Sequence, residues 1–256
     1  MAEYDNLAEY YDWEWKNLIQ DIPLIVELAK NAGSPVLELA CGTGRVTFPV
    51  AESGIEIYGI DNSSLMLDYA RKKLAQYPDD VKNNVKLIQG NMKDFCLNKR
   101  FNFIFISFNS FLLLYKKEDQ EQCLNTVRKH LDDNGIFYID VYSPRFEFCA
   151  EEKSPIRFLQ HFYIPDTKKV VLQWEYVERN MAEQISEIDF LYEEYDKNGN
   201  LTRKARHLTM GIVFRFEMQF MLEKNGFEVI EFYGNYDKKR FDTKSPQMIF
   251  ICKKKF

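Results

Sequence analysis

Between Pro35 and Pro144 the chain alternates short apolar runs with longer stretches of mixed polarity. "SPVLELA", "IEIYGID", "NVKLIQG", "FNFIFIS" and "GIFYIDVYSP" read as strands bounded by Gly, Asn or Asp. The fourth is apolar enough to be covered on both faces. The segments between them carry helical spacing. "LMLDYARKKLAQY" sets Leu65, Leu67, Tyr69, Ala70 and Leu74 on one face, with Ser63 and Ser64 as N-cap candidates. "RVTFPVAES" predicts a helix that stops at Gly54, with Pro49 in its first turns, where a missing N–H costs little. "KEDQEQCLNTVRKHL" predicts a helix ended by a left-handed Gly135, with His130 near its C-terminus. Such alternation implies right-handed crossovers and a parallel, doubly wound sheet.

The rhythm changes after Ser143. "RFLQHFYIP", "KKVVLQWEYVERN", "QISEIDFLYEEYD" and "LTRKARHLTM" alternate apolar and polar residues, with turn signals such as "KNGN" between them. They predict an antiparallel sheet with one wet face. A helix over "FRFEMQFMLEKNG" and two strands, "FEVIEFYGNYD" and "QMIFICKK", close the chain. The expected fold is α/β: a doubly wound, mostly parallel seven-stranded sheet with an antiparallel β-rich insertion after strand five. Residues 1–142 and 211–256 make the main domain, and residues 143–210 the insertion.

Composition narrows the class. A formal charge of -5 and a pI near 5.4 argue against a nucleic-acid surface, which is usually basic. The longest apolar run, Phe101 to Tyr115, is too short and too interrupted by Asn to span a bilayer. Five scattered cysteines form no CxxC pair and no metal-ligand spacing with the three histidines, so no metal is expected. The odd number and the acidic, aromatic N-terminus suit a reducing cytoplasm.

Candidate chemistry begins at "VLELACGTGRVTFPVAESG". A glycine turn between strand and helix lets a ligand approach the backbone, yet Glu38 at its mouth would repel a phosphate. The GxGxxG pattern of a dinucleotide fold is also incomplete, because Gly42-x-Gly44-x-x ends in Thr47. "VLELACGTGR" resembles the first motif of the class I S-adenosylmethionine-dependent methyltransferases. "GIDNSSLMLDYARKK", "IQGNMKDF", "FNFIFISFNSFLLL" and "LDDNGIFYIDVYSP" resemble the ordered elements that follow it in that family. The resemblance covers roughly Pro35 to Pro144. It implies S-adenosylmethionine as cofactor, and this donor carries a sulfonium and an ammonium but no phosphate.

The resemblance also implies site residues. Glu38, Ala40, Gly42, Thr43, Gly44 and Arg45 form the loop expected at the methionine moiety. Glu38 there suits cationic groups, or else serves as a capping or ion-paired carboxylate. Asp61 ends the second strand, where a carboxylate can accept bonds from ribose hydroxyls. Asn62, Met66, Asn91 and Met92 correspond to adenine contacts, although Met66 reads equally well as helix-face core. Phe108 would offer a backbone carbonyl. Tyr11, in "LAEYYDW", matches a tyrosine in a helix that closes over the cofactor, and Tyr4 is a second candidate. Cys41 reads as a small packing residue.

Methyl transfer is an in-line displacement, to which alignment contributes most. A base is required only where the acceptor is protonated, and Tyr11, His161, His207 and Tyr115 are the candidates. For both histidines a solvated or core role competes. Histidine is common in the family at the position of Leu113, and this chain lacks it. With "SFNSF" where nucleobase-methylating relatives carry (D/N)PP(Y/F), the expected acceptor is an N or O atom of a small molecule. The aromatic insertion would form a substrate roof, and dimer contacts are its second use, so a homodimer stays open. The competing functions are a non-catalytic S-adenosylmethionine-binding protein and a methyltransferase acting on protein or RNA.

Overall fold

Two helices precede the first strand in the computed structural model, which describes residues 8–255. Tyr4 lies outside the described residues. Helix α1 (Ala8–Glu14) buries Ala8, Tyr10 and Glu14. Helix α2 (Ile22–Ala32) was not anticipated. It carries Pro in its first turn, buries Leu24, Ile25 and Ala29, and ends at Gly33 with φ 74°.

The alternating region then runs β1 (Val36–Leu39), α3 (Thr47–Glu52), β2 (Ile57–Asp61), α4 (Ser64–Leu74), α5 (Asp79–Asn84), β3 (Val85–Gln89), β4 (Phe101–Ile106), α6 (Lys117–His130) and β5 (Leu131–Tyr142). Ser63 caps α4, its side chain accepting a bond from the Met66 N–H. The buried residues of α4 are Met66, Leu67 and Ala70, whereas Leu65 is exposed. Gly135 is not a left-handed stop. Helix α6 ends at His130 and passes directly into extended Leu131. Gly135 instead sits inside β5, where a Cβ would lie 2.8 Å from the Leu131 side chain. The His130 ring bridges Thr126 O and Leu97 N–H, with Nε2 as acceptor for the latter.

A one-turn helix α7 (Phe146–Cys149) leads to β6 (Arg157–Ile164), β7 (Lys169–Asn180), β8 (Ile185–Tyr195) and β9 (Leu201–Gly211). Helix α8 (Arg215–Lys224) and strands β10 (Phe227–Tyr233) and β11 (Gln247–Lys254) return to the main sheet. That sheet has seven strands in the order β10-β11-β5-β4-β1-β2-β3, and only β11 runs antiparallel to its neighbours. Strands β6 to β9 form a separate four-stranded antiparallel sheet. The expected α/β architecture is therefore present.

Alternation from Phe103 to Ile106 sets up the two layers, and a register shift between Phe101 and Phe103 puts Phe101 in the layer of Ile104 and Ile106. Phe101, Ile104 and Ile106 pack with residues of α6 and α8, while Phe103 and Phe105 pack on the opposite face with α2, α3 and α4. Each of these side chains is fully buried. Truncating one such Phe to Ala costs about 3–5 kcal/mol.

The second sheet turns Val171, Phe190, Tyr192 and Leu208 onto Tyr10 of α1. A polar clasp lies inside this apolar layer. Glu14 faces Arg206 Nη1 at 3.5 Å, both side chains nearly solvent-free, and also accepts from the Tyr192 hydroxyl. Burial raises the Glu14 pKa, and the Arg206 charge opposes that rise.

Candidate active site

The chain leaves β1, goes outward through β2 and β3, and returns to β4 on the other side of β1. This reversal opens a crevice beyond the carboxyl ends of β1 and β4, the ligand position of open α/β sheets. The loop Ala40–Arg45 forms its floor by entering the left-handed region three times, at Ala40 (φ 59°), Gly42 (φ 54°) and Gly44 (φ 85°). The glycines have different reasons to be there. At Gly44 a Cβ would fall 2.5 Å from the Phe48 ring, so that position serves helix–loop packing. At Gly42 it would reach Met66 Cε at 3.3 Å and the Tyr11 ring at 4.0 Å, all lining one cavity. Cys41 is buried, and its sulfur fills the space over Gly59.

Asp61 fastens this floor. Its Oδ2 accepts from the Gly42 N–H and its Oδ1 from the Ser63 N–H, both at 2.8 Å. The carboxylate lines the cavity. The cavity holds about 270 Å³ and is bounded also by Tyr11, Ala40, Asn62 and Met66. Asn91, Met92, Phe108 and Leu113 complete much of its lining. Met66 is both core and cavity wall. Asn91 Oδ1 accepts the Lys93 N–H at 3.0 Å, which fixes the turn after β3. Lys93 and Asp119, paired at 3.0 Å, lie at the same cavity. Phe108 holds φ 55° for a bulky residue, a strained conformation of the kind that clusters at functional sites. The Trp15 ring meets it edge-on at 4.7 Å and the Arg45 guanidinium lies 5.3 Å from its centroid.

Nine of the expected residues thus converge: Tyr11, Ala40, Gly42, Asp61, Asn62, Met66, Asn91, Met92 and Phe108. Glu38 does not sit at the mouth. It is 2 % exposed beneath the loop and accepts from the Thr47 hydroxyl. Burial pushes its carboxyl up to about 8, against the Thr47 bond and the Arg45 charge, which lower it. Thr43 and Arg45 brace rather than line. Thr43 Oγ1 donates to Asp12 at 2.6 Å, and Arg45 makes a bidentate pair with Asp21 at 2.7 and 2.6 Å.

The structure does not bring the histidines to the cavity. His161 is exposed on β6, and His207 is exposed on β9 against Asp189 at 2.8 Å. Tyr115 is 40 % exposed and faces a different cavity, beside Gln120 and Gly211. Among the described residues no cluster of His, Cys, Asp and Glu could hold a metal ion, and no helix is long and apolar enough to cross a membrane. Sequence reasoning missed Asp21, Lys93 and Asp119. Each is an ordinary surface-type residue by local pattern, and only the tertiary fold supplies its partner.

An adenosine-bearing sulfonium fits these groups: an acidic side chain at the end of β2, open backbone at Gly42, and apolar Met66 and Phe108. A family model described as a methyltransferase domain matches residues 36–135. The chain is 25% identical, over 98% of its length and 97% of the relative's, to a cypemycin N-terminal methyltransferase of Streptomyces sp. It is 23% identical, over 96% of its length and 86% of the relative's, to a glycine/sarcosine N-methyltransferase of Aphanothece halophytica. Among solved structures, the CcbJ methyltransferase from Streptomyces caelestis superimposes with a TM-score of 0.81 at 24% identity, covering 100% of this chain and 99% of that one.

Proposed function

We propose that this chain, matched by the methyltransferase-domain model over residues 36–135, is a class I S-adenosylmethionine-dependent methyltransferase that methylates a nitrogen atom of a small-molecule amine by in-line displacement. S-adenosylmethionine is the cofactor, and when bound it supplies an electrophilic methyl group on a sulfonium. The carboxylate of Asp61, fixed by two backbone N–H groups at the floor of the crevice, is the observation that carries the reading. In this proposal it accepts from the ribose, while Gly42 leaves the backbone open to the methionine end. Asn62, Met66, Asn91 and Met92 enclose the base. Tyr11 covers the loop from α1, where its ring can face a cation.

Nitrogen is favoured over oxygen on physical grounds. A hydroxyl needs a base within reach, and no imidazole lines this cavity. An amine in solution exchanges protons with its neutral form, which enters with its lone pair free and needs no base in the cavity. Of the relatives named above, one is a glycine/sarcosine N-methyltransferase and another an N-terminal methyltransferase, which agrees with this preference. The second sheet would then serve as the roof over the acceptor.

The test is release of S-adenosylhomocysteine, followed by mass spectrometry, with panels of amines and hydroxyl compounds. The proposal expects turnover with amines. Turnover confined to hydroxyl compounds would refute nitrogen as the acceptor atom. Normal cofactor binding with no turnover on either panel would make the chain a non-catalytic binder.

A further inference from the structure

A second cavity of about 470 Å³ opens where the segment after β5 meets the inner face of β7 and β8. Its apolar lining includes Tyr142, Phe148, Val177, Ile188, Met210 and Ile212. The loop after β4 separates it from the cofactor cavity: Phe108 and Ser110 line that one, and Asn109, between them, lines this one. The two cavities therefore adjoin at residues 108–110.

Its charges are uneven. Arg145, Arg179 and Lys244 line it, against the single carboxylate of Glu175. Arg145 and Lys244 are exposed, whereas Arg179 is 6 % exposed. Arg179 Nη1 donates to Glu151 O at 2.9 Å, and its guanidinium stacks 4.1 Å from the Phe148 centroid. Its Nη2 is buried without a hydrogen-bond partner. Asn109 Oδ1 is also buried and unpartnered, on a residue held at φ 61°. Leaving such groups unsatisfied is costly, and each such case calls for a reason. A donor and an acceptor on residues lining one cavity are complementary to an anion and an amine N–H.

We infer that this cavity is the acceptor site, and that the acceptor is an apolar amine carrying a carboxylate or phosphate held by Arg179, its nitrogen oriented by Asn109 Oδ1. This rests on the methyltransferase reading above. The reaction balances simply. A bond forms between the acceptor nitrogen and the methyl carbon, the carbon–sulfur bond breaks, its electron pair stays on sulfur, and the new ammonium loses a proton to water.

The test is affinity selection of an amine library on the full chain saturated with S-adenosylhomocysteine. Each carboxylate or phosphate member is paired with its neutral ester. Anionic members should be retained over their esters by roughly tenfold or more, as one charge-assisted contact predicts. Carboxylate and phosphate hits distinguish the two anions. Arg179→Gln should abolish the preference while leaving S-adenosylhomocysteine affinity unchanged. Lys244→Glu, at an exposed position that cannot threaten folding, should reduce it. Equal retention of esters, or no retention by a protein that binds S-adenosylhomocysteine normally, overturns the inference. Failure to bind S-adenosylhomocysteine at all would instead count against the cofactor site.

Discussion

Asp12 on α1 accepts a 2.6 Å hydrogen bond from Thr43 in the glycine loop, and the same oxygen pairs with Lys73 of α4 at 2.8 Å. The helix bearing Tyr11 is thereby tied to the loop that it covers. Asp12→Ala should raise the dissociation constant of S-adenosylhomocysteine by roughly tenfold, as one charge-assisted bond implies. Titration calorimetry checks this, and an unchanged constant would show that the tie is ornamental to binding.

Asp61 acts on both the floor and the ligand. Asp61→Ala removes a charged acceptor and frees the Gly42 and Ser63 N–H groups, at a cost of about 1.5–3 kcal/mol in cofactor binding. The expected loss in affinity is roughly tenfold to a hundredfold. Wild-type affinity in this variant would count heavily against the site.

Glu38 and Asp140 make stability depend on pH in an unusual sense. Burial raises Glu38 to about 8 from 4.5, and Asp140 to about 7 from 3.8. In the native state both keep their protons over a range where the unfolded chain has lost them. Stability should therefore fall as pH rises from about 4 to about 8, then level off. Melting temperature measured across that window should decline, and Glu38→Gln should flatten much of the slope. A melting temperature that climbs between pH 5 and 8 would contradict the assigned burial.

The tyrosine and the histidines should separate cleanly. Tyr11→Phe keeps the ring over Gly42, so S-adenosylhomocysteine affinity should hold within about twofold while kcat drops if the hydroxyl meets the acceptor. His161→Ala and His207→Ala, on exposed roof positions, should change turnover by less than about twofold, because surface substitutions rarely cost more than about 0.5 kcal/mol. A large kcat loss in either histidine variant would reinstate it as a base.

Much of this was legible in the sequence because local rules and global fold agree. Short apolar runs between glycine and asparagine marked the strands, and Ser63 announced α4 through a capping bond made only three residues away. Failures came where distance along the chain hides a neighbour. Gly135 looked like a helix stop, but its need for glycine arises from Leu131 and Phe101 pressing on it. Glu38 was placed at the mouth from its identity alone. A parallel strand buried on both faces buries every side chain, and the pattern of β1 is buried at all four positions. Asn109 and Arg179, seventy residues apart, gave no signal until the fold set both against one cavity.

The clasp between Glu14 and Arg206 bears on where the polypeptide can be trimmed. The opening residues of most domains tolerate deletion or tagging. Here the loss of Glu14 would remove the carboxylate set against the Arg206 guanidinium in a dry interior far along the chain. Breaking a buried pair by removing one member costs about 3–5 kcal/mol, a large part of the margin that keeps an ordinary domain folded. Helix α1 is thus a keystone of the second sheet.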